Sequence, residues 1–224
     1  MTNYLVSLRN RWRSHIETPI CRYLKARQQY EAMKYFLDHP SRTWIAGAHS
    51  QRLTTGCEWT DYRLLHQMIL KYQPQCVLEL GCGISTYVIA DALKENGHGH
   101  CWSFEEHARY ANVTWARLPE SYRKLVTLEV RPVSTGCYDT RYHGRRFDYT
   151  ARQCFDFVFV DGPTEYVDGQ KGICLDLFRV PLGSPCHVLV DGKRNSCEAY
   201  RNWWGCRTGR YHRILDVGIF TIRS

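Results

Sequence analysis

Long apolar runs are missing from this 224-residue chain. No stretch approaches the roughly 18 apolar residues of a membrane-spanning helix. A signal-peptide pattern is missing too: Arg9, Arg11 and Arg13 keep the N-terminus basic, and no apolar segment follows them. There is no Cys-x-x-Cys spacing, although the chain holds 11 cysteines. An odd cysteine count without a secretion signal does not suit a disulfide framework, and the ligand spacing of a zinc site is absent. The expectation is reduced thiols in a cytoplasmic protein, most of them acting as small buried hydrophobes. Internal repeats and low-complexity tracts are also lacking.

Hydrophobic residues make up 44% and charged residues 23%, which is ordinary for a globular chain and excludes bulk disorder. The length suits one α/β domain with an N-terminal extension. The formal net charge is +8. Such a charge can serve nucleic acid, anionic lipid or a phosphorylated substrate. The arginines are dispersed along the chain, which favours a solvated basic surface over a binding patch.

Residues 1 to about 39 read as helical. Leu5, Leu8, Trp12 and Ile16 recur at helical spacing. Thr18-Pro19 interrupts them, and a second helix is expected from Pro19 to Asp38. The first helix either packs on the domain or lies on an anionic membrane surface, and packing is the expectation. From Thr60, an expected N-cap, helices alternate with short apolar strands. The expected strands are Cys76–Leu80, His100–Glu105, Leu125–Arg131, Phe155–Val160, His187–Val190, Tyr211–Asp216 and Gly218–Ile222. The expected helices are Ser85–Asn96, His107–Leu118, about Gly169–Phe178 and Asn195–Trp204. Residues 133–153 read as a loop. Alternation of this kind gives a parallel sheet covered on both faces. The last two strands are nearly contiguous and must be antiparallel. The fold class is therefore α/β: a Rossmann-like, seven-stranded, mostly parallel sheet with a C-terminal antiparallel hairpin, helices on both faces and N-terminal helices. The division is an extension over 1–54 and a domain over 55–224.

Val77-Leu-Glu79-Leu-Gly81-Cys-Gly83-Ile-Ser85-Thr86 runs from a buried strand into a glycine turn and a helix. Glycines allow a sharp turn and close ligand approach, and the helix N-terminus offers free N–H groups. Glu105-Glu106 ends the next strand about 20 residues on, where an acidic side chain holds ribose hydroxyls in nucleotide-binding folds. A dinucleotide fingerprint fails, because Thr86 stands where the third glycine belongs.

These residues resemble motif I of class I S-adenosylmethionine-dependent methyltransferases, in a small-molecule branch with a Gly-x-Gly-x-Ser-Thr turn. Ser103-Phe104-Glu105 resembles motif II, Phe155–Pro163 motif IV and His187–Asp191 the fifth-strand motif. The resemblance covers roughly 55–224. It implies S-adenosylmethionine bound by Glu79, Gly81, Gly83, Ser85, Thr86 and Glu105, with Glu106 as the neighbouring candidate. The implied reaction is methyl transfer to an O or N nucleophile of a small molecule. Nucleic-acid methylation and a cofactor-binding domain without catalysis are the alternatives.

Asp161 and Asp191 follow adjacent apolar strands at their carboxyl ends, where open α/β sheets bind ligands. They could hold a divalent metal ion, or one could act as general base. The arrangement resembles that of some metal-dependent O-methyltransferases, whose usual asparagine after the second aspartate is Gly192 here. The 133–153 stretch offers Arg141, Arg145 and Arg146 for an anionic substrate and His143 as a second candidate base.

Overall fold

The computed structural model describes residues 19–50, 57–150, 153–167, 169–205, 207–213 and 215–223. The expected first helix lies outside them. The second forms α1 over Pro19–Leu37, followed by α2 over Thr43–Ser50. Helix α3 spans Trp59–Tyr72 and starts one residue before the expected cap. Glu58 is the N-cap, and its N–H donates to Asp61 Oδ2 at 2.7 Å. Thr60 instead accepts a 2.8 Å bond from Gln29 of α1.

The central sheet follows from the apolar segments. Its strands are β1 (Cys76–Leu80), β2 (His100–Glu105), β3 (Val126–Val130), β6 (Phe155–Val160), β10 (Leu182–Asp191), β11 (Gly209–His212) and β12 (Val217–Ile222). Their order is β11-β12-β10-β6-β1-β2-β3. β12 runs antiparallel to both neighbours, and the five strands from β10 to β3 are parallel. Strand side chains alternate between the two faces. Val77, Phe157, Phe159 and Leu189 pack on one face under Leu65, Ile69, Val88 and Leu93 of α3 and α4 (Ile84–Asn96). Leu78, Leu80, Val158 and Val188 pack on the other with Cys197 and Tyr200 of α7 (Arg194–Trp204). Each fully buried large side chain contributes about 1.5–3 kcal/mol. Phe36 of α1 and Ile45 of α2 are buried in the first of these cores, so residues 19–50 share the domain's core. Helices α5 (Ala108–Arg117) and α6 (Glu120–Arg123) connect β2 to β3.

Two expectations fail between β3 and β10. The 133–153 loop contains a hairpin, β4 (Val133–Tyr138) with β5 (Tyr142–Phe147). Its turn holds Asp139 and Thr140 at positive φ, and its tyrosines Tyr138 and Tyr142 both stack on Phe178. The expected helix from Gly169 is instead short strands, β7 (Tyr166–Val167), β8 (Gln170–Lys171) and β9 (Ile173–Cys174), then a 3₁₀ turn over Asp176–Phe178. β9 pairs in parallel with β5, and a Cβ on Gly144 would meet Ile173 O at 1.9 Å. That close approach holds the segment extended. No helix among the described residues is long and apolar enough to cross a membrane.

Candidate active site

β1 ends in the glycine turn. Gly81 takes φ +92° and donates its N–H to Phe104 O at 2.8 Å. A Cβ there would stand 2.7 Å from Gly162 N, so the ends of β1 and β6 touch backbone to backbone. Thr86, in the first turn of α4, ties the loop together. It accepts from Gly83 N–H at 3.1 Å and donates to Glu79 Oε2 at 2.7 Å. Ser103 of β2 donates to the same oxygen at 2.5 Å. Glu79 is wholly buried, and among the described residues no donor reaches its Oε1 in good hydrogen-bond geometry. Burial pushes its carboxyl up to about 7, against the bonds from Ser103, Ser85 and Thr86. A buried acceptor without a donor costs free energy unless a ligand or water supplies one.

Glu105 is buried at the end of β2 and accepts from Cys82 N–H (3.2 Å) and His107 N–H (2.9 Å). Its carboxylate spans the turn and the β2–α5 loop. Glu106 pairs with Arg145 at 2.8 Å and accepts from Thr164 N–H at 3.4 Å, joining the hairpin to the loop after β6. The turn, both glutamates, Tyr62 and Tyr110 line one cleft. Gly81, Gly83, Ser85, Glu105 and Glu106 are thus brought together, with Glu79 and Thr86 beneath them.

Asp161 and Thr164 line this cleft and also a second cavity of about 500 Å³. Asp191 faces Asp161 there, because Val190 pairs with Val160 in the sheet. Burial raises both carboxyls, Asp161 to about 7, with Asp191 adding to the rise at Asp161 and Lys193 opposing both. Sequence reasoning missed several neighbours. Cys57 is buried and donates to Asp161 Oδ2 at 3.8 Å. Asp61 is buried, and burial with the nearby Asp191 pushes it up to about 7. Glu165, Lys193 and Asp216 complete the walls. Neither Cys57 nor Asp61 carried a sequence signal, since Glu58-x-x-Asp61 departs from the usual Ser/Thr-x-x-Glu capping pattern.

His143 lies exposed on β5 and lines neither the cleft nor the cavity. The arginines of this stretch are engaged: Arg145 with Glu106, Arg146 with Asp148 at 3.8 Å, and Arg141 with Asp139.

Ligand atoms of Cys57, Asp161 and Asp191 lie within 4.8 Å of one another. The set fits a hard divalent ion incompletely. Such ions take six or more oxygens, whereas the third donor is a thiol, Gly192 adds no side chain, and Lys193 already brings positive charge. His66, Asp91 and Glu95 also converge, but Arg42 occupies that cluster at 3.3 Å from Asp91 and 2.5 Å from Glu95.

The strand order, the reversed β12 and the glycine turn beside Glu105 define the class I methyltransferase fold. Residues 78–180 match a family model described as a methyltransferase domain. No curated protein matches the sequence. A Staphylococcus aureus protein provisionally named a caffeoyl-CoA O-methyltransferase shares 15% identity, over 86% of this chain and 99% of that one, with TM-score 0.54. A methyltransferase from Geobacter sulfurreducens shares 12%, over 83% and 90%, with TM-score 0.52. An O-methyltransferase from Streptomyces achromogenes, solved with S-adenosylmethionine, shares 21% over 74% of this chain, with TM-score 0.42. The chain spans 65% of the length of that protein. At these identities the likeness is one of fold.

Proposed function

We propose that the chain transfers a methyl group from S-adenosylmethionine to an oxygen or nitrogen nucleophile of a small molecule. The observation that carries this reading is the junction at Asp161. One wall of the glycine-turn cleft continues there into a carboxylate-lined cavity, so cofactor and acceptor can meet. Glu79 suits the cofactor through its unpaired buried oxygen, and Gly81 and Gly83 of the turn line the cleft above it. Glu105 is the ribose candidate and Glu106 its neighbour. When bound, the cofactor would supply an electrophilic methyl group. The protein's own part is to orient the acceptor and to take its proton. Orientation accounts for much of such catalysis. Asp161, whose carboxyl sits near neutrality, is the proposed proton acceptor, with Asp191 beside it. His143 lies outside this arrangement. Free thiols at the described cysteines suit the cytoplasm, and we assign residues 1–54 to an extension of the 55–224 domain.

Calorimetry with S-adenosylhomocysteine tests the reading. Wild type binds it, and Gly83→Val loses at least tenfold in affinity while keeping its unfolding temperature. Glu105→Ala weakens binding more than Glu106→Ala. Equal affinity in wild type and Gly83→Val would remove the turn from the site.

A further inference from the structure

The second cavity carries a charge that its surroundings do not. The chain as a whole is +8. Yet the cavity walls bear Glu58, Asp61, Asp161, Glu165, Asp191 and Asp216, against Lys25, Lys171 and Lys193. Two of the lysines are used at the rim: Lys25 pairs with Glu58 at 2.9 Å and Lys171 with Glu165 at 3.1 Å. Asp61, Asp161, Asp191 and Asp216 are left with Lys193. An anionic substrate entering this space would meet four carboxyls against one lysine, and those ionised at neutral pH would repel it across a low-dielectric wall. A cation would be attracted for the same reason.

The arrangement also separates an organic cation from a metal ion. Metal ligands must converge on one point, and among the described residues of this cavity Cys57, Asp161 and Asp191 alone do so. Asp61, on α3, and Asp216, on the turn before β12, stand on other walls of the cavity. Carboxylates distributed around a volume of about 500 Å³ match a molecule whose N–H donors point in several directions. Asp61 is also fixed in place, because its Oδ2 accepts the Glu58 N–H that begins α3. Resting on the methyltransferase reading above, we propose that the acceptor substrate is a small molecule bearing a protonated amino group, held by Asp61 and Asp216 with its reacting atom towards Asp161. The arginines of the β4–β5 hairpin are ion-paired and do not line this cavity, so their charge is not offered to a ligand in it.

Three four-carbon probes of matched length test the charge class on the full chain saturated with S-adenosylhomocysteine: 1,4-diaminobutane, 1,4-butanediol and succinate. Chemical-shift titration is expected to place the diamine in the cavity, at least tenfold tighter than the diol, with no succinate binding. Asp216→Asn should weaken the diamine at least threefold and Asp61→Asn at least tenfold, while both keep wild-type affinity for S-adenosylhomocysteine. Asn at 216 accepts the φ of +55° found there, so that variant stays informative if Asp61→Asn fails to fold. Equal binding of the three probes overturns the proposal, as does diamine binding that neither variant changes. Magnesium or zinc alone binding at micromolar concentration and expelling the diamine also overturns it. Failure of wild type to bind S-adenosylhomocysteine counts instead against the methyltransferase reading.

Discussion

The chemistry assigned to Asp161 depends on one carboxyl that is neither free in water nor firmly paired. Burial raises it to about 7, Asp191 adds to the rise, and Lys193 opposes it. A base must be deprotonated to accept a proton, so its active form is the one above that value. We therefore expect kcat/KM to rise with pH through about 7 once a substrate is in hand. Asp161→Asn should abolish that limb and slow turnover by roughly 100-fold or more, with affinity for S-adenosylhomocysteine retained. A pH–rate profile of the two proteins checks this, and an unchanged profile in the variant would move the base elsewhere. Asp161 stood out in the sequence because it directly follows a strongly apolar strand. Its partners Cys57 and Asp61 did not, since they arrive from a segment 100 or so residues earlier with no shared pattern.

At the scale of elements, the N-terminal helices are fastened by a buried polar network. Arg42, only 5% exposed, reaches Asp91 and Glu95 of α4. Asp91 also accepts from Tyr122 Oη (3.0 Å) and meets His66 Nε2 (3.0 Å), and Tyr35 of α1 bonds His66 Nδ1 (2.9 Å). Removing one member of a buried ion pair leaves an uncompensated charge and typically costs about 3–5 kcal/mol. Arg42→Ala should lower the denaturation midpoint by an amount of that order and expose α1 to limited proteolysis before the sheet unfolds. A midpoint within experimental error of wild type would show that α1 and α2 dock by apolar contacts alone. The hairpin β4–β5 shows the opposite kind of legibility. Its strands carry Arg, His, Gly and Tyr with no clean alternation, because one side is half-exposed and the other rests on Phe178. The neighbouring Asp168-Gly169 pair was a readable two-residue hairpin signal, and an apparent helical run after it masked that signal.

At the scale of the whole molecule, burial of carboxyls ties stability to pH. Asp176 accepts from Phe147 N–H (3.1 Å) and is pushed up to about 7, mainly by burial. A carboxyl whose folded value exceeds its unfolded one stabilises fully below the unfolded value of about 4, and that contribution is lost as pH rises through about 7. Partly buried His49, His100 and His187 are lowered by burial and act in the other direction, so the difference between two proteins is the informative quantity. Asp176→Asn keeps an acceptor for Phe147 but cannot ionise. Its unfolding temperature should gain on wild type as pH rises from about 5 to about 8. Calorimetric scans across that range check the sign, and a constant difference would place the Asp176 pKa outside it.

The sequence by itself determined the sheet and the glycine turn at the end of β1. Strands read as apolar runs because a parallel sheet covered on both faces must be apolar on both. The glycine turn, Thr86 and Glu105 could be named because a strand, turn and helix lie within one short segment, and local spacing encodes local geometry. Only the tertiary structure decided the carboxyl-lined cavity proposed for the acceptor. The sequence placed Asp161 and Asp191 on adjacent strand ends, but Cys57 and Asp61 before and within α3, and Asp216 before β12, lie far away along the chain, and the fold alone brings them to the same cavity. The same holds for charge: composition gives +8 for the chain, while the sign at the cavity depends on which side chains share the enclosed space and which are neutralised at its rim.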